Sequence, residues 1–131
     1  MTEPAPRHRP VNRWRALVLL ATAAALRERA LPILPIPPNY YDDLDARWEL
    51  DPALLETMQT SGILYDRDEA GGELFHLYTG MLGHRLFLEV VQRAGGYDGY
   101  GETNAPVRAA AQLAAVDNTV DGRAGDAGRP R

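Results

Sequence analysis

GHRLFLEVVQRAGGYDGYG, residues Gly83–Gly101, is the stretch whose reading decides the fold. Leu86, Phe87, Leu88, Val90 and Val91 are apolar and rich in strand formers. Glu89 interrupts them. On a period of two, Glu89 shares a face with Phe87, Val91 and Arg93, while Leu86, Leu88 and Val90 point the other way. A carboxylate inside an apolar strand needs a partner, a proton or a metal ion, so Glu89 is the first candidate functional residue. Just upstream, Glu73–Thr79 alternates Leu74, His76 and Tyr78 against Phe75 and Leu77. Gly80–Gly83 then turns the chain back, which predicts an antiparallel hairpin of Glu73–Thr79 with Leu86–Arg93. Register is not fixed by the sequence, but one of the two face choices puts His76 beside Glu89. A strand histidine is ordinarily hydrogen-bonded to a neighbour; a ligand role is the competing reading.

Outward from the hairpin, Ile63–Arg67 reads as another strand, closed by a turn over Asp68–Gly72. Asp66 and Asp68 lack the rest of a calcium-loop pattern and read as turn residues. Leu31–Pro38 is extended by its prolines, with Ile33, Leu34 and Ile36 fit for a short edge strand. Asn39 is expected to cap a helix running to about Trp48, with Asp42 and Asp43 in its first turn. Asp51 followed by Pro52 opens a second helix, which Gly62 ends. Downstream, the GGYDGYG loop lacks the order of a nucleotide loop. Asn104 is expected to cap a helix over about Ala105–Ala115, with Pro106 in its first turn.

Several of these segments carry a family resemblance. FLEVVQR followed by GGYDGYG resembles the C-terminal signature of 4-hydroxyphenylpyruvate dioxygenase-like proteins, within the vicinal oxygen chelate superfamily. PNYYDDLDAR, GILYDRD, LFHLYT and NAPVR fall in the order that family shows. Within that family the chain resembles in particular the dioxygenase-like half of bacterial fusion proteins whose other half is a sugar phosphate isomerase-like barrel acting as 3-dehydroshikimate dehydratase. The resemblance covers about Ala21–Ala115. It implies an α+β fold: a partial βαβββ module, with a small antiparallel sheet and helices on one face. It implies iron(II) chemistry with dioxygen on an aromatic 2-oxo acid, held by two histidines and one carboxylate. It assigns Glu89 as a metal ligand and His76, Phe87 and Asn104 as substrate-binding residues; the family position matching His76 is usually a glutamine. No catalytic residue is implied.

The chain also departs from that family. A strand with a metal-binding histidine precedes the first family helix, whereas the matching stretch here, near Arg13–Leu20, has no histidine. Arg13–Ala30 is instead built from strong helix formers and predicts one helix. Its arginines, apolar run and small residues also resemble a secretory signal, too short to span a bilayer. A family aromatic after the asparagine is replaced by Ala105. The expectation is a family fragment, inactive alone, with one of three ligands. The alternatives are a non-catalytic module split from the dehydratase fusion, or a small chelate-superfamily protein that completes its site by dimerisation.

Composition sets the outer bounds. With 131 residues the prior is one small domain. The expected layout is a disordered arm over 1–12, the module over 13–115 and a disordered tail over 116–131. A net charge of −4 argues against a general nucleic-acid binder. No cysteine is present, so disulfides and thiolate metal sites are excluded. The expected partners are a small aromatic or hydroxy-acid substrate and a second copy or a missing N-terminal domain, with no membrane; the expected compartment is the cytoplasm. His8, in the arm, and His84, in the hairpin turn, are expected to be solvated.

Overall fold

The computed structural model describes residues 13–83 and 85–124. The expectations for the 1–12 arm, His8, His84 and residues 125–131 lie outside the described residues. The fold is α+β, with a three-stranded antiparallel sheet ordered β1-β2-β3. The strands are β1 (Leu64–Arg67), β2 (Glu73–Tyr78) and β3 (Glu89–Ala94). The helices are α1 (Leu17–Glu28), α2 (Pro38–Trp48), α3 (Pro52–Ser61) and α4 (Ala105–Ala124).

A short 3-10 turn over Arg13–Ala16 leads directly into α1, so the first segment is helical, as its residues dictate. Ala16, Leu19 and Ala23 recur at helical spacing and are buried. Gln92 of β3 ties this helix to the sheet. Its side-chain oxygen accepts the Leu19 N–H at 3.0 Å, and its amide nitrogen donates to the Arg15 carbonyl. Pro37 and Pro38, not Asn39, start α2, because proline at the first helical positions has no N–H to satisfy. Asp42 and Asp43 therefore fall beyond its first turn. Asp51 does cap α3, accepting the Leu54 N–H at 2.9 Å. Gly62 ends it at φ +68°, a conformation that disfavours any side chain.

The β2–β3 hairpin forms as the alternation predicts, with Tyr78 opposite Glu89 and His76 opposite Val91. The ladder is shorter at one end than the apolar run implies. Leu86 bridges back to Leu82, and Leu88 joins the sheet through Thr79, so β3 begins at Glu89 and not at Leu86. Ile33 makes an isolated bridge to Thr79, on the side of β2 that β1 occupies further along. All of β2 is buried. Tyr65, Phe75 and Leu77 join the residues of α1, α2 and α3 in one core. α4 continues to Ala124, past the end expected near Ala115.

Candidate functional site

His76 and Glu89 come together. Glu89 is opposite Tyr78, two pairs along from His76, and the two side chains meet diagonally on one face, with His76 Nδ1 2.9 Å from Glu89 Oε1. His76 is fully buried, whereas the Glu89 side chain is 36% exposed. The other ring nitrogen, Nε2, lies 2.8 Å from the amide nitrogen of Asn104. An amide nitrogen can only donate, so Nε2 accepts and Nδ1 carries the proton toward Glu89. That amide also donates to the Tyr65 carbonyl at 3.0 Å. The Asn104 oxygen sits 3.1 Å from the Tyr40 hydroxyl, which accepts the Tyr65 N–H at 2.9 Å. A directional chain thus runs from the β1 backbone through Tyr40, Asn104 and His76 to Glu89.

Asn104 does not cap α4. Its residue lies in a 3-10 turn, Glu102–Asn104, and its side chain is spent on His76 and β1. Gly101 makes this approach possible. A Cβ there would lie 2.7 Å from Leu74 Cδ2 and 3.0 Å from His76 Cε1, and the residue sits at φ +69°. Tyr97 anchors the same loop, donating to Asp66 at 2.6 Å and accepting the Gly101 N–H at 3.2 Å. Asp66 is therefore a loop anchor as well as a strand residue.

The surroundings explain the protonation states. Burial depresses the His76 pKa below the ordinary histidine value; the hydrogen bond and charge of Glu89 oppose this but do not outweigh it. The imidazole is thus held neutral. Tyr78, beside Glu89, is pushed up to about 12, first by burial and then by the neighbouring carboxylate. Burial also raises the Tyr40 pKa.

Phe87 lies just outside β3, its ring centroid 6.0 Å from that of Tyr78. The Arg108 guanidinium covers both rings, 5.1 Å from Phe87 and 5.7 Å from Tyr78. Next to Glu89 the half-buried Phe87 ring and the Arg108 guanidinium therefore lie over the buried Tyr78 ring. Tyr40, Tyr78, Gly101 and Arg108 were not singled out from the sequence. NAPVR and PNYYDDLDAR contained two of them, but nothing local showed that they converge.

The donors present do not fit a three-ligand iron site. Both nitrogens of His76 are already engaged, and Glu89 has one oxygen held by that ring. Among the described residues, no group of three or more His, Cys, Asp or Glu is placed to hold a metal ion. No helix among them is long and apolar enough to cross a membrane.

No protein-family model matches the chain. Its relatives are nevertheless informative. It is 46% identical over 97 residues to a 3-dehydroshikimate dehydratase of Pseudomonas aeruginosa, covering 74% of this chain and 15% of that protein. It is 36% identical over 95 residues to a 4-hydroxyphenylpyruvate dioxygenase of Neurospora crassa, covering 66% of this chain and 22% of that one. Among solved structures, a xylose isomerase-like TIM barrel/4-hydroxyphenylpyruvate dioxygenase fusion protein superposes with a TM-score of 0.72 at 37% identity, covering 81% of this chain and 20% of that one. The chain matches a C-terminal 4-hydroxyphenylpyruvate dioxygenase-like part of such a fusion. This dioxygenase-like module spans less than a quarter of each of these proteins. Its small antiparallel sheet with packed helices agrees with a partial vicinal oxygen chelate module.

Proposed function

We propose that this chain is a dioxygenase-like module that presents one carboxylate, Glu89, and does not complete an iron(II) site alone. The observation that carries the reading is the position of Glu89. It is fixed from behind by neutral His76, its side chain partly open to solvent, with no set of three donor side chains around it among the described residues. Phe87 and Arg108, packed over the buried Tyr78 ring, supply the surface that an aromatic, anionic small molecule would meet. His76 and Asn104 lie buried behind Glu89 and act by positioning it. Oxidative decarboxylation of an aromatic 2-oxo acid, the reaction of the resembled family, then requires two further ligands from outside these residues. Thermal melting with and without iron(II), under anaerobic conditions, tests this. The expected result is no iron-dependent rise in Tm for the parent or for Glu89→Gln. A rise in the parent that Glu89→Gln abolishes would overturn the reading.

A second reading is favoured by the 46% identity to a dehydratase against 36% to a dioxygenase. On that reading the chain is the non-catalytic dioxygenase-like module of a dehydratase fusion, and its partner is an isomerase-like barrel. Binding of the purified chain to a separately expressed barrel from such a dehydratase is the test; no measurable association would remove this reading.

A further inference from the structure

We propose that the free edge of β3 pairs with β3 of a second copy of this chain, antiparallel and centred on Val91. The two edges of the sheet are treated differently. Hydrogen-bonded pairs alternate along an antiparallel ladder. Asp68 N–H donates to the Gly72 carbonyl, so the parity of the ladder points the N–H and C=O of Tyr65 away from β2. That edge is sealed: the Tyr40 hydroxyl accepts the Tyr65 N–H, and Asn104 donates to the Tyr65 carbonyl.

At the other edge, Thr79 N–H donates to the Leu88 carbonyl. The same parity points the backbone groups of Glu89, Val91 and Arg93 outward. No described residue pairs with them, and β3 ends the sheet. An unpaired edge of this length is a template for another strand. Val91 lies exposed on it at 37%, and Leu88 and Leu86, which precede the strand, at 45% and 55%. Leu17 and Val18 lie exposed on α1, the helix that Gln92 ties to the same strand.

The side chains select the occupant. Place a twofold axis at Val91, so that Val91 faces Val91 of the second copy. Antiparallel pairing then sets Glu89 opposite Arg93 of the second copy and Arg93 opposite its Glu89. Each contact is an opposite-charge cross-strand pair, and the pattern is self-complementary, as a twofold interface requires. Shifting the register by two residues in either direction breaks both pairs. Glu89 already takes the His76 N–H at Oε1 and a hydrogen bond from Tyr78, but a carboxylate offers about four lone-pair sites and can accept the arginine as well. Arg93 gives Nε and Nη2 to the Gly99 carbonyl, leaving Nη1 available. The second copy thereby delivers an arginine to the carboxylate of the candidate site. This pairing does not depend on the dioxygenase-like reading.

Sedimentation of the full chain across the micromolar to millimolar range is the first readout, with twice the 14.4 kDa chain mass expected. Val91→Lys sets two cations face to face at the axis, and Arg93→Glu sets carboxylates against Glu89. Both variants should sediment as monomers while keeping the parent far-UV spectrum. The second readout keeps the parent interface. The chain has no cysteine, so Val91→Cys introduces a single thiol. Facing residues in a hydrogen-bonded pair have Cα atoms about 5.5 Å apart, within disulfide range. Mild oxidation should link Val91→Cys chains much faster than Tyr100→Cys chains, whose cysteine is exposed but away from the axis. A monomeric parent, a Val91→Lys variant that stays dimeric, or cross-linking no faster than in Tyr100→Cys would each overturn the proposal.

Discussion

His76 and Glu89 meet diagonally across the β2–β3 ladder, with Nδ1 2.9 Å from Oε1, although the residue directly opposite Glu89 is Tyr78. The consequence is an N–H of a fully buried ring whose acceptor is a half-exposed carboxylate. Glu89→Gln retains an oxygen that can accept this N–H and should leave the fold intact, with Tm unchanged or slightly raised. Glu89→Ala removes the acceptor and should cost about 1 kcal/mol, moderated by water reaching the exposed side. Urea unfolding of the two variants checks the order; equal losses would show that the hydrogen bond contributes nothing.

Asn104 and Tyr40 serve the same chain from the β1 side. Asn104 is buried and satisfies three groups at once: His76 Nε2, the Tyr65 carbonyl and the Tyr40 hydroxyl. Asn104→Ala should therefore destabilise by about 2 kcal/mol or more, because several buried polar groups lose partners together. Tyr40→Phe removes the acceptor of the Tyr65 N–H and should cost about 1–2 kcal/mol. The two losses should combine to less than their sum in the double variant, since the residues share a hydrogen bond. Additive losses by chemical denaturation would argue against a coupled network.

Gly101 and Gly96 separate two causes of glycine selection. Both sit at positive φ, +69° and +80°. A Cβ at Gly96 meets nothing within 4 Å, whereas one at Gly101 strikes Leu74 and the His76 ring. Gly96→Ala should show only the backbone strain of about 1 kcal/mol. Gly101→Ala should cost clearly more and should perturb the His76 ring resonances by NMR. Matching losses would mean that the loop moves away from His76 freely.

The hairpin and the shared face of His76 and Glu89 were legible because strand alternation is a local signal. Phe75 and Leu77 face the core on one side while His76 faces the other. Helix α3 was equally legible, since Asp51, Pro52 and Gly62 mark both of its ends. The role of Asn104 was not. It follows a glycine-rich loop and precedes a proline, which is the local signature of a cap, but its contacts lie 28, 39 and 64 residues away. Separation of that kind leaves no periodicity to read. The start of β3 was missed for the reverse reason: Leu86 and Leu88 have strand-like neighbours, yet a tight bridge to Leu82 claims Leu86 first.

Acid sensitivity provides the last prediction. Burial lowers the His76 pKa, so the folded chain holds this ring neutral at a pH where the unfolded chain protonates it. The unfolded state then binds more protons, and stability rises with pH across that interval. The contribution is fully present above the unfolded histidine value of about 6.5. It is lost as pH falls from there toward the depressed folded value. The facing groups are Glu89, Asp66, Arg93 and Asn104; the two carboxylates favour the charged ring but are outweighed by burial. His76→Gln has no proton to gain in this range, and its amide can both donate to Glu89 and accept from Asn104. Urea unfolding of parent and variant between about pH 5 and 7.5 isolates the term, because other groups cancel in the difference. The parent should lose stability relative to His76→Gln as pH falls below about 6.5. A difference that stays constant over this range would show that the ring titrates alike in both states. The neutral, proton-donating Nδ1 that fixes Glu89 would then need another explanation.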